Sequence, residues 1–256
     1  MNDRPPTREE LVRRHKLHLL ERPVDLTLIN GDLSITRWGD ILAGSVQHAG
    51  FARFILYWRY NWLSIQELLV AAYQAKIAVQ KQREELDRLA AERTSLMRSN
   101  PFDQTGQQAF HVKYQQEGDV LGALAFGQET YAASLMLTLS SLLGQLRDDI
   151  EANDTIWRGC GPHYGGRSLG ELVAAAANAF RHADEWLKTV KPSARQRVSM
   201  DCLADALGRP LERFGFRKSI NCEVLDVISA GSPDTLTENV LGFAHALALK
   251  TEQITP

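Results

Sequence analysis

Cysteine is scarce in this chain. Cys160, Cys202 and Cys222 are odd in number and far apart, and no CxxC pair exists. A disulfide framework or a zinc site therefore has no support, and a reducing, cytoplasmic setting fits best. Charge of one sign is lacking too: 29 Lys and Arg stand against 31 Asp and Glu, a net of −2. Such balance argues against a protein built on bulk neutralisation of nucleic acid, while leaving room for a local basic patch. No long hydrophobic run is present. The greasiest stretch, residues 51–73, is interrupted by Arg53, Arg59, Asn61, Gln66 and Glu67, so no membrane partner is expected. The opening MNDRPPTREE has no apolar segment of the kind a secretory signal needs. Neither Gly-x-Ser-x-Gly nor His-Glu-x-x-His occurs. The glycines at 159, 161, 165 and 166 lack the Gly-Lys-Ser/Thr of a phosphate loop. His15 and His18 lie three apart without a third ligand, so no metal and no cofactor is expected.

What is present is ordinary globular material: 256 residues, 44% hydrophobic and 23% charged. One large domain, or one with a small appendage, is the expected count. Thr7 and Glu10 form a capping box that predicts a first helix, running to Glu21 and stopped by Pro23. Asn30-Gly31 suits a tight hairpin turn. Pairing outward from it sets Leu28 opposite Leu33 and Leu26 opposite Ile35, all on one apolar face.

Residues 51–100 contain no Gly and no Pro. Apolar residues recur there at Leu68, Ala72, Ala75, Val79, Leu86, Leu89 and Leu96, in helical steps. One helix over this stretch would be roughly 75 Å long, whereas a globule of this size has a radius of gyration of about 18 Å. The helix must bend, or project and find a partner. Its first half, with Phe51, Phe54, Tyr57, Trp58, Tyr60 and Trp62, suits the core; its charged second half suits an arm. Burying that arm calls for a homodimer or a partner protein through helix 51–98, since Leu86, Leu89, Leu96 and Met97 would otherwise be wet. Residues 100–118 read as a polar loop. A second long helix over 120–150 follows, striped by Tyr131, Leu135, Leu139, Leu142, Leu146 and Ile150. Residues 157–167 read as a glycine-rich loop, and Ser168 with Glu171 caps a helix to Val190. Shorter helices are predicted over 194–207, 210–228 and 235–252, the last opened by a Thr235–Glu238 box. The fold class is mostly α: a bundle of long antiparallel helices with a small N-terminal β-hairpin. Three segments result, 1–50, 51–192 and 193–256.

The most informative string is Ala177-Asn-Ala-Phe-Arg-His-Ala-Asp-Glu-Trp186. On a helix Asn178, Arg181, His182 and Glu185 share the side opposite an apolar face of Leu169, Leu172, Val173, Ala176, Phe180, Ala183 and Leu187. An imidazole titrates near neutrality and a guanidinium holds phosphate, so the patch could do acid/base chemistry on a phosphodiester. The plainer reading is an Arg181–Glu185 pair beside an exposed or packed histidine.

An Asn-x-x-[Arg/Lys]-His run on an inner helix resembles the HEPN (higher eukaryotes and prokaryotes nucleotide-binding) superfamily. Many of its members are ribonucleases of toxin–antitoxin and phage-defence systems. Asn178 matches the polar position of its motif and His182 the histidine, whereas the motif arginine falls on Ala177. The resemblance implies a helical protein that binds or cuts RNA without a metal. His182 would be general acid/base, Arg181 the phosphate-holding cation, and Asn178 and Glu185 their supports.

A second pattern lies in residues 201–218. Ala204, Gly208 and Phe214 have helix-turn-helix spacing, and residues 191–218 hold seven Lys/Arg against three acids. Arg209, Arg213 and Arg217 are its candidate nucleic-acid contacts. Three functions therefore stand side by side: an RNA-directed protein, possible as a metal-independent endoribonuclease; a non-catalytic interaction or scaffold subunit; and, with least support, a DNA-binding regulator.

Overall fold

The computed structural model describes residues 4–29, 32–36, 39, 41–99, 104–188, 192–211 and 220–254. The chain is mostly α, as predicted, and among the described residues its strands are two antiparallel pairs of two residues each.

Helix α1 (Arg8–His15) begins at Thr7. The Thr7 hydroxyl accepts from the Glu10 N–H, and the Glu10 carboxylate accepts from the Thr7 N–H. The helix does not reach Glu21. It stops at Lys16 in the left-handed region (φ 51°, ψ 48°), and a 3₁₀ turn over His18–Glu21 follows. A continuous helix would scatter Leu11, Leu17, Leu19 and Leu20 around its axis. With the break, all four are buried.

Strands β1 (Leu28–Ile29) and β2 (Asp32–Leu33) keep the predicted Leu28–Leu33 register; Asn30 and Gly31 lie outside the described residues. Beyond that pair the hairpin opens to admit a third pass of chain. Leu26 bridges to Ala43 rather than to Ile35, and Ile35 bridges to Ile41. Ser34 N–H donates to the Thr27 carbonyl, Thr27 N–H to Leu42, and Leu42 N–H to Ser34, closing the three passes on one another. Ser34 and Leu42 fill the small interior. Leu26, Leu28, Leu33, Ile35 and Ile41 face outward and are exposed.

The glycine-free stretch is two helices, α2 (Val46–Tyr60) and α3 (Trp62–Ser99). The chain bends at Asn61, whose Nδ2 and backbone N–H both donate to the Tyr57 carbonyl. Helix α4 (Gln104–Asp149) returns antiparallel along α3. The predicted loop at 100–118 is thus helical from Gln104. Its own sequence is too polar to signal a helix, but α3 supplies the missing support: Gln82 Nε2 donates to the Glu117 carboxylate at 2.7 Å. Helical packing sustains what propensity alone would not. Leu86 and Leu89 are accordingly buried rather than wet, while Leu96 and Met97 stay exposed. The α4 stripe is buried from Leu135 to Ile150, but Tyr131 is exposed.

The glycine-rich loop holds a short helix, α5 (Asp154–Gly159), and a hairpin of β3 (His163–Tyr164) and β4 (Arg167–Ser168). Its turn glycines 165 and 166 both take positive φ. Then come α6 (Leu169–Arg181), α7 (Ala183–Lys188), α8 (Ala194–Leu207), α9 (Ile220–Ser229) and α10 (Pro233–Ile254). The helix predicted from 168 to 190 is broken at His182, and its predicted end at 189 and 190 lies outside the described residues. The predicted start of the 210–228 helix falls partly on residues 212–219, outside the described residues. The last helix opens two residues earlier than predicted: Pro233 takes its first position and the Ser232 hydroxyl accepts from the Thr235 N–H. Proline has no N–H to satisfy, so it displaces Thr235 from the cap. One apolar cluster runs from Leu11 to Ala248 and draws on all three predicted segments. At its centre the second half of α4 packs against α2, α6 and α9. Among the described residues no helix is long and apolar enough to cross a membrane.

Candidate functional site

The residues of the predicted patch lie at the end of α6 and on α7, on either side of a helix break. Ser168 launches that helix with a full capping box: its hydroxyl accepts from the Glu171 N–H, and the Glu171 carboxylate accepts from the Ser168 N–H. Leu169, Leu172, Val173 and Ala176 are buried against the core, as their spacing predicts, while Phe180 is only partly so. At His182 the backbone leaves the helix (φ −116°, ψ 17°), its N–H shared between the Asn178 and Phe180 carbonyls. Helix α7 then resumes and buries Trp186.

The break places His182 and Glu185 in contact, with Nδ1 3.1 Å from Oε2. A carboxylate on Nδ1 fixes the ring and leaves Nε2 to solvent. Both side chains are well exposed, at 45% and 66%. Asn178 is half-buried and Arg181 exposed, and neither side chain bonds the imidazole. Ala177, where the family motif has its arginine, is fully buried. A guanidinium there would be driven into the core.

The second predicted patch is drawn into internal pairing. Gly208 ends α8 in the left-handed conformation. Arg209 then forks onto Glu223 of α9, with Nη2 2.8 Å from both carboxylate oxygens. That cation is committed to holding α8 to α9. Arg213, Phe214 and Arg217 lie outside the described residues.

Two constellations went unread in the sequence. Glu129 on α4 reaches the start of α9, where Oε1 accepts from the Asn221 N–H (3.0 Å) and Nδ2 (2.7 Å), and Oε2 from the Cys222 N–H. Burial pushes this carboxyl above its ordinary range, against the pull of those donors. The two partners are over ninety positions apart, beyond any local signal. The other is a cavity of about 900 Å³ between α1, the start of α3 and the start of α10, with Leu11, Trp62 and Val70 among its walls. His15 lines it; His18 instead pairs with Glu21 at 2.9 Å. Among the described residues no group of three metal-ligating side chains occurs. The three cysteines are buried free thiols. Desolvation raises all three, Cys202 to about 12, which removes them from thiolate chemistry near neutral pH.

Family models, curated proteins and solved structures were all compared with this chain, and none matches.

Proposed function

We propose that this protein is a non-catalytic helical interaction subunit that self-associates through the arm of α3 and α4. The observation that carries this reading is the distal half of that arm. Beyond Leu89 on α3, and before Gln128 on α4, no described side chain is buried. Yet Leu96, Met97, Val112, Val120 and Phe126 are exposed there, Phe126 at 74%. A two-helix hairpin with so much uncovered apolar surface gains by pairing with a second copy. Light scattering across a concentration series is expected to show a monomer–dimer equilibrium. The double variant Val120→Glu/Phe126→Glu should remain monomeric, and its melting temperature should match that of the wild type at concentrations where the wild type is monomeric, because both side chains face solvent there. A wild-type mass that stays monomeric at every concentration would overturn the reading.

One observation favours a second reading, the RNA-directed one: the His182–Glu185 pair. In that reading His182 is general acid/base, Glu185 orients it, Arg181 holds the phosphate and Asn178 steadies the site, with the 2′-hydroxyl as nucleophile and no metal. Each chain offers one exposed imidazole at this patch, so acid and base work calls for His182 of a second copy, and the position of the motif arginine is held by the buried Ala177. These points place it second. His182→Ala should leave the melting temperature within about 1 °C, since an exposed side chain contributes little to stability. If the parent cleaves RNA and the variant does not, the second reading replaces the first.

A further inference from the structure

We infer that the cavity between α1, α3 and α10 is a binding site for a small zwitterion with an apolar body, the chemistry of a short apolar peptide with both termini free. This goes beyond the interaction reading and shares no residue with the arm's exposed apolar surface. The volume, about 900 Å³, lies within the range of small-molecule pockets. Leu11, Trp62, Leu63, Val70 and Ala71 supply an apolar wall.

The charges around that wall select the ligand class. Three arginines, Arg4, Arg13 and Arg14, face three carboxylates, Glu10, Glu67 and Asp234. Arg4 is spent on Glu10 at 2.8 Å and Arg14 on Asp234 at 2.9 Å. One charge of each sign is left over, Arg13 on α1 and Glu67 on α3, with no ion pair to each other or to any described residue. A simple anion would meet Arg13 and be repelled by Glu67; a simple cation would meet the reverse. A ligand carrying a carboxylate and an ammonium satisfies both. Gln66, on the same wall, offers an amide with no protein partner, its Nε2 sealed from solvent without an acceptor. Turning that amide toward the cavity would pair it with a peptide group and relieve the unmet donor.

Isothermal titration calorimetry with tri-leucine, its N-acetylated form and its C-terminal amide tests the inference. Free tri-leucine is expected to bind at one site, and each blocked form more weakly by up to about fivefold, the scale of one exposed charge pair. Glu67→Gln should weaken the free peptide but not the N-acetylated one. Arg13→Gln should weaken the free peptide but not the amide. Ala71→Phe fills the cavity and should abolish binding; Leu63→Gln, at an exposed position, should weaken it and serves should the first variant not fold. No binding of free tri-leucine, blocked forms that bind as well as the free one, or binding indifferent to these variants would each overturn it. Because the arm is untouched, the monomer–dimer equilibrium stays as in the wild type whichever result is obtained.

Discussion

Gly170→Ala is expected to lower stability by about 3 kcal/mol, near the upper end of overpacking effects. Gly170 lies in the first turn of α6. A Cβ there would meet Trp157 Cζ2 at 2.3 Å and Phe243 Cζ at 2.7 Å. Neither ring can yield. They pack edge to face with centroids 5.2 Å apart, Phe243 is fully buried, and the Arg147 guanidinium lies over the Trp157 ring, 5.2 Å from its centroid. Alanine's better helix propensity returns only about 0.5–1 kcal/mol, so the clash wins. At about 2–4 °C per kcal/mol for a chain of this size, the melting temperature should fall by about 6–12 °C. The same substitution at Gly118 should do the opposite. That residue is inside α4, and an added Cβ there meets nothing within 4 Å. Only the propensity gain remains. Thermal unfolding followed by circular dichroism reads both variants. An unchanged melting temperature for Gly170→Ala would mean that α5 and α10 do not close on the start of α6.

Sequence reading works where both partners of a contact are local. Thr7 and Ser168 were legible as caps because a capping box is local: four residues carry both partners. Helix α8, over Ala194–Leu207, falls where the sequence puts it, between Pro192 and Gly208. The Leu28–Leu33 register followed from the turn and from alternation, again within a few residues. What failed was longer in range. The first turns of α4 are polar and give no helical signal, because the support they find is on α3, as in the Gln82–Glu117 contact. The bends at Lys16 and His182 have no Gly or Pro to announce them. At Lys16 the break is made by the need to bury Leu17, Leu19 and Leu20 together.

The candidate site divides the same way. His182 and Glu185 are three apart, so their contact could be read from spacing, and it is present. Arg209 is, from sequence, a candidate nucleic-acid contact. Its partner Glu223 is fourteen residues away across the turn, and nothing local distinguishes a committed arginine from a free one. The cavity was invisible for a related reason. Its charges come from residues 4–14, 67 and 234, and which of them cancel depends on how three helices cross.

The same logic gives the largest effect expected in the core. Trp58→Ala should cost about 3–5 kcal/mol, the range for removing a large buried aromatic. Trp58 is fully buried on α2 and touches Phe54 and Trp62, each with ring centroids 6.3 Å away. Trp58→Phe should behave differently and stay within about 1 kcal/mol of the parent. The indole Nε1–H has no protein acceptor, and a buried donor left unpaired costs about 1–3 kcal/mol. Phenylalanine removes that donor while leaving a smaller ring and a small void. The two terms are of similar size and opposite sign, so they offset. Chemical denaturation of the two variants beside the parent separates them, provided the denaturant slope is unchanged. A Phe variant as unstable as the Ala one would show that the indole N–H is satisfied after all. The packing around α2 would then owe its stability to a polar contact as well as to ring burial.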